Sequence, residues 1–154
     1  MQQKETFNGL EIPRTGRIIG LDPGTKHVGL AVSDELQLIA TPIAALSRKS
    51  WKKLLTDVEA AIASYDALAL VIGLPLNSDG SESQMSLEAR EMDRKFFLSL
   101  KIPVFLQDER VTSYEARKRL WDRGVDPADT KKFVDSESAA IILTDFLDGL
   151  RQRR

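Results

Sequence analysis

Asp22 closes the apolar run Ile18-Ile19-Gly20-Leu21 and is followed at once by Pro23-Gly24-Thr25-Lys26. A carboxylate at the tip of a buried strand is costly to keep. An ionised group in a dry site loses several kcal/mol unless a cation or strong donors offset it. Acids recur in comparable settings at Asp108-Glu109, just beyond an apolar segment, and at Asp135, inside one. Brought together, such groups repel: at about 4 Å and an effective dielectric near 20, each like-charged pair costs roughly 4 kcal/mol. Protons or divalent cations must therefore enter. All-oxygen donors favour Mg²⁺ or Mn²⁺, and a chain with no cysteine and one histidine is poorly equipped for zinc. Paired ions of this kind can activate a water and stabilise the leaving oxygen in phosphodiester cleavage. The cluster suits phosphoryl chemistry.

Several neighbours could serve a phosphate. Gly24 and Thr25 would let backbone and hydroxyl approach a metal or phosphate closely. Lys26 could hold a phosphate, Asn77 beside Ser78-Asp79-Gly80 could meet a substrate backbone, and Arg110 could grip a phosphate with two bonds. Each has a plainer structural reading: a hairpin turn, an exposed turn lysine, ordinary turn chemistry, an ion pair with a nearby acid. His27 opens a strand and reads as structural.

These residues need elements to carry them. Residues Arg17 to Asp22, His27 to Ser33 and Leu38 to Ile43 read as three strands of an antiparallel meander. Trp51, Leu55, Val58 and Ile62 then fall at helical spacing, predicting a helix over Ser50 to Tyr65. Ala67 to Gly73 has no polar face, as expected of a strand covered on both sides. A loop from Leu74 to Gly80 leads to a helix ending near Leu100, with Ser81 and Gln84 as its capping box and Met85, Ala89, Met92 and Phe96 as its stripe. Ile102 to Gln107 is a fifth strand, Thr112-x-x-Glu115 caps a helix stopping near Gly124, and a last helix runs from about Lys131 to Leu150. Asp135, Ala139, Ile142 and Phe146 share one stripe of that helix, so an acid heads its core-facing side. The alternative there is a carboxylate serving its own helix dipole. The expected architecture is α/β: a mixed five-stranded sheet, three antiparallel strands then two parallel, with helices on both faces. Ligands of such sheets bind beyond the carboxyl ends of the parallel strands. Asp22, the Leu74–Gly80 loop and Asp108-Glu109-Arg110 all open on that rim.

Length and charge bound the rest. A chain of 154 residues suits one domain, here residues 17–150, with 1–16 expected as a loose extension dispensable to the core and 151–154 as a basic tail. A net charge of −1 argues against a dedicated nucleic-acid coater, though Arg48-Lys49, Lys52-Lys53, Arg117-Lys118-Arg119 and Lys131-Lys132 gather basic groups. Each such cluster reads as a solvated helix face first. No stretch approaches the roughly 20 apolar residues of a membrane span, and the polar start lacks a secretion-signal core. A cytoplasmic location is expected.

Four ordered blocks resemble one family. Gly20-Leu-Asp-Pro-Gly-Thr-Lys-His-Val-Gly-Leu-Ala-Val-Ser-Asp34, Val71-Ile-Gly-Leu-Pro-Leu-Asn-Ser-Asp-Gly80, Asp108-Glu-Arg-Val-Thr112 and Val134-Asp-Ser-x-Ser-Ala-Ala140 are similar to the YqgF/RuvX family. Its members are described as Holliday-junction resolvases and pre-ribosomal-RNA nucleases with a ribonuclease H-like fold. The resemblance spans about Arg17 to Leu150 and implies metal-dependent cleavage of nucleic acid, with maturation of the 5′ end of small-subunit ribosomal RNA. It also implies Asp22, Glu109 and Asp135 as the acidic triad, selecting Glu109 over Asp108. His27 and Glu137 depart from the commoner pattern. Implied partners are structured RNA or branched DNA and precursor ribosomal particles, with the protein a monomer or homodimer. Two other readings compete: a nucleic-acid-binding module with little turnover, and a phosphotransferase, since Asp-x-Gly-Thr opens the phosphate loop of sugar kinases. The second needs another such lobe, for which this chain is too short.

Overall fold

The computed structural model describes residues 4–24, 26–109 and 134–154, excluding the side chains of 134 and 135. A hairpin comes first, β1 (Lys4–Phe7) and β2 (Leu10–Pro13), followed by β3 (Ile18–Pro23), β4 (His27–Ser33) and β5 (Ala40–Ser47). Then come α1 (Trp51–Tyr65), β6 (Ala69–Leu74), α2 (Gln84–Ser99), β7 (Val104–Asp108) and α3 (Val134–Arg153). The main sheet has the order β5-β4-β3-β6-β7. Its β3/β4 and β4/β5 pairs are antiparallel, its β3/β6 and β6/β7 pairs parallel. That is the expected mixed sheet, and helices cover both faces. Alternation along the strands sorts side chains between the layers. Ile18, Val71 and Phe105 join α3 through Ala139, Leu143 and Phe146. Ile19, Leu21, Leu70 and Ile72 join Leu54 and Val58 of α1 and Met92 and Phe96 of α2. The capping helix expected over 112–124 lies outside the described residues.

Several boundaries differ from expectation for local reasons. The third strand is Ala40–Ser47 rather than Leu38 to Ile43, because Asp34 Oδ1 accepts the Leu38 and Ile39 N–H groups and folds them into the turn. In α2 the capping box is Ser83 with Ser86, two residues past the expected pair. Ser81 instead hydrogen-bonds Asp79 within the loop. This turns Met85 outward, 48% exposed, and buries Ser86. Arg151 and Arg153 are the last turn of α3 rather than a tail.

Residues 4–13 differ more from the expected loose extension. Asn8 (φ 50°) and Gly9 (φ 80°) make the tight turn of the β1/β2 hairpin, the left-handed pair such turns demand. Phe7 packs edge-on against Phe146 at 5.1 Å and Phe105 at 5.9 Å, and Ile12 is fully buried. The far end of α3 clamps the hairpin, with Arg153 over the Phe7 ring and Arg154 paired to Glu5. Phe7 and Ile12 therefore belong to the core. Phe7→Ala is expected to cost about 3 kcal/mol, read as a lower urea midpoint at unchanged slope; an unchanged midpoint would return the segment to a dispensable tail.

Candidate active site at the carboxyl rim of the sheet

Asp22 sits in the last turn of β3, paired across to Gly29 of β4, and is half-buried. Two residues back on the same face is Gly20. A Cβ there would lie 2.8 Å from Leu143 Cβ and 3.1 Å from the Ala139 carbonyl oxygen. The missing side chain lets α3 lie directly on the strand and brings its head toward Asp22. Loss of hydration raises the Asp22 pKa above the ordinary carboxylate range.

Glu109 follows β7, and its N–H donates to the Leu74 carbonyl at 3.1 Å, extending the parallel ladder by one residue. Phe105 faces α3 and Leu106 the opposite layer, so alternation places Glu109 on the α3 side and Asp108 on the other. Glu109 Oε2 lies 3.0 Å from where a Cβ on Gly73 would stand, which locates its carboxylate over β6. Its pKa is pushed up to about 7, first by burial and then by the charges of Asp22 and Asp108. Strands β3 and β7 thus bring two carboxylates within electrostatic reach across β6. Gly73→Ala would press a methyl on the Glu109 carboxylate and the Ile142 side chain. We expect about tenfold weaker Mn²⁺ binding by calorimetry with an overpacking cost of about 1–3 kcal/mol.

Asp135 lies in the first described turn of α3. The helix is pinned there by Ser136, whose buried hydroxyl accepts the Leu30 N–H at 3.1 Å. Leu30 pairs with Leu21, next to Asp22, so the backbone of 135 enters the sheet face at the Asp22 end. Its side chain lies outside the described residues. On the stripe it heads, Ala139, Ile142 and Phe146 are buried as expected.

Of the other expected contacts, Gly24 is required by its turn, since a Cβ would run into the His27 carbonyl oxygen. Lys26 is exposed on that turn. Asn77 Nδ2 donates to Ser81 Oγ at 3.0 Å and the Glu82 carbonyl at 3.1 Å, so this amide braces its loop. Thr25 and Arg110 lie outside the described residues. Sequence reasoning missed three contributors: Gly20, Gly73 and Arg48, whose Nη1 donates to the Gly24 carbonyl at 2.9 Å. A single glycine inside each of two buried strands was the available signal for the first two.

Chemically, the donor set fits a hard divalent cation. Burial holds Asp22 above its ordinary pKa, and burial with the Asp22 and Asp108 charges does so for Glu109; both oxygen donors regain their charged form when a cation is present. Among the described residues no group of three or more His, Asp or Glu completes a cage; Asp135, the expected third donor, is not among the described side chains.

Strand order, layers and rim define an α/β domain of the ribonuclease H-like class. The structure of T. thermophilus RuvC bound to a Holliday junction substrate aligns over 89% of this chain and 96% of its own, with a TM-score of 0.57 at 14% identity, a likeness of fold. The chain belongs to the RuvX family, described as Holliday junction resolvase, which matches residues 16–149. That membership places it among hydrolases of phosphodiester bonds. Similar relatives named "Putative pre-16S rRNA nuclease" include one from Syntrophus aciditrophicus, 36% identical over 90% of this chain and 92% of its own length. Another, from Anaeromyxobacter dehalogenans, is 38% identical over 86% and 96%. No helix among the described residues is long and apolar enough to cross a membrane.

Proposed function

We propose that the protein is a metal-dependent endonuclease that processes the 5′ end of the small-subunit ribosomal RNA precursor. One observation carries the reading: Asp22 and Glu109, remote in sequence, converge on the α3-facing side of the sheet at its carboxyl rim. The substrate is assigned from the name its relatives bear.

Asp22, Glu109 and Asp135 would hold Mg²⁺ or Mn²⁺. When bound, two such ions supply an activated water and stabilise the leaving oxygen. Asp22, at the strand tip, is assigned as the shared donor. Glu109 must give up its proton to bind a cation, and with its pKa near 7 this proton is lost only around neutrality. Cleavage at limiting metal should therefore fall about tenfold for each pH unit below 7, and added metal should move the profile to lower pH. A profile flat from pH 5.5 to 8 at limiting metal would remove Glu109 from the site. Gly24 and Lys26 line the turn beyond Asp22 and Asn77 stands on the loop after β6; with Thr25 and Arg110, all five are assigned to the phosphate backbone.

The family description favours a second reading, resolution of branched DNA. A resolvase cuts two symmetric strands and needs a two-fold dimer, whereas RNA trimming does not. Offering a precursor RNA fragment and a four-way DNA junction with Mg²⁺ or Mn²⁺ separates them. Product from the RNA alone supports the proposal, product from the junction alone replaces it with the second, and tight binding without product from either leaves a binding module.

A further inference from the structure

A groove of about 260 Å³ separates the start of α1 from the middle of α2, lined in part by Arg48, Lys49, Trp51, Glu88, Glu91 and Lys95. It adjoins the site through Arg48. This guanidinium donates to the Gly24 carbonyl while its backbone N–H donates to the Lys26 carbonyl at 3.0 Å. One residue is thus both a wall of the groove and a tie on the turn that follows Asp22.

The lining is better suited to a polyanion than its composition first suggests. Glu88 stands 4.0 Å from Arg48, and Glu91 pairs with Arg94 at 2.5 Å, so both acids are turned to arginines. Lys49 is exposed, and Lys95 Nζ lies over one face of the Trp51 ring, 5.3 Å from its centroid. Trp51 is held edge-on to Phe96 at 4.7 Å, which sets the plane of the indole. The volume falls below the roughly 300 Å³ at which pockets for whole small ligands begin, leaving room for part of a polymer. Cations spaced around an oriented aromatic ring are how sequence-tolerant sites hold single strands, phosphates on the cations and a base on the ring.

We propose that this groove holds unpaired nucleotides flanking the scissile phosphate, with Lys49 and Lys95 at their phosphates and one base against Trp51. The inference rests on the nuclease reading above and names where its substrate strand runs. A single-stranded flank, rather than a duplex, is the occupant.

The test is equilibrium binding of a labelled single-stranded RNA of about 12 nucleotides to the full-length Asp22→Asn protein, which retains substrate uncut. Adding Lys49→Glu with Lys95→Glu should weaken binding at least tenfold. The slope of log affinity against log salt should fall by about 1.4, two phosphate contacts at about 0.7 each. Trp51→Leu should weaken binding fivefold or more, and Trp51→Phe, which keeps a ring against Phe96, should restore most of it. Unchanged affinity and salt slope in the lysine pair would overturn the proposal, as would equal losses on a duplex of the same length. Cleavage by the wild-type protein distinguishes the two readings. Lysine-dependent binding with no cleavage of any substrate ends the nuclease and keeps the groove. Cleavage whose KM ignores both lysines ends the groove and keeps the nuclease.

Discussion

Asp22→Asn is expected to lower metal-dependent cleavage at least about a thousandfold while the protein stays folded. Residues that only support a metal ligand cost about 10–100-fold when lost, and Asp22 is assigned as a donor to the ion itself. The change is nearly isosteric, and the β3/β4 pairing of Asp22 with Gly29 is made by backbone and is untouched. Burial already disfavours the Asp22 charge, so the neutral amide should hold or slightly raise thermal stability without metal. Single-turnover cleavage at saturating Mn²⁺, with a melting curve on the same sample, reads both effects. Wild-type cleavage by a folded Asp22→Asn protein removes the proposed mechanism.

The second large effect concerns Glu109 and runs in opposite directions for stability and function. Its pKa of about 7 lies above its ordinary value of 4.5, so between those limits the folded state binds more protons than the unfolded one. Stability without metal therefore declines as pH rises through this window, and above pH 7 the full penalty is present. The pKa gap sets a ceiling of about 3 kcal/mol, which solvent contact at the rim reduces to about 1–2 kcal/mol. Glu109→Gln removes that penalty. At pH 8 without metal the variant should melt about 3–6 °C higher than wild type, and at pH 4.5 the two should coincide. Mn²⁺ should then stabilise the wild type and leave the variant unmoved. A variant that melts lower at pH 8, or that Mn²⁺ still stabilises fully, would show that this carboxylate is structural.

The strand carrying Asp22, the fully apolar strand at Ala69–Leu74 and the stripe Ala139, Ile142 and Phe146 were legible because each records burial in its own residues. A period of two or of 3.6 survives whatever the element packs against. The amino-terminal hairpin was legible too. Asn8-Gly9 is a strong hairpin signal, passed over because Lys4 to Pro13 alternates with charged residues and its apolar groups are few. Those few are buried through α3 and β7, which sequence proximity does not reveal. Ser83 and Ser86 won the α2 cap over Ser81 and Gln84 because Ser81 was drawn into the Asp79 turn. Several serines compete there, and only the loop geometry decides among them.

What the residues determined by themselves was the inventory: which segments must be covered, that acids stand at their ends, and that oxygen donors without thiols suit a hard cation. Alternation even contained which of Asp108 and Glu109 shares a face with Asp22, but only once the strand was seen to continue and its α3-facing side was known. The tertiary structure decided which acids meet. It did so through contacts between segments remote in sequence: Gly20 admitting Leu143, Ser136 accepting from Leu30, and Gly73 making room for Glu109. The physical reason is range. Hydrophobic pattern is a property of one element, whereas repulsion and close approach between carboxylates depend on ångström distances that exist only after the layers have packed.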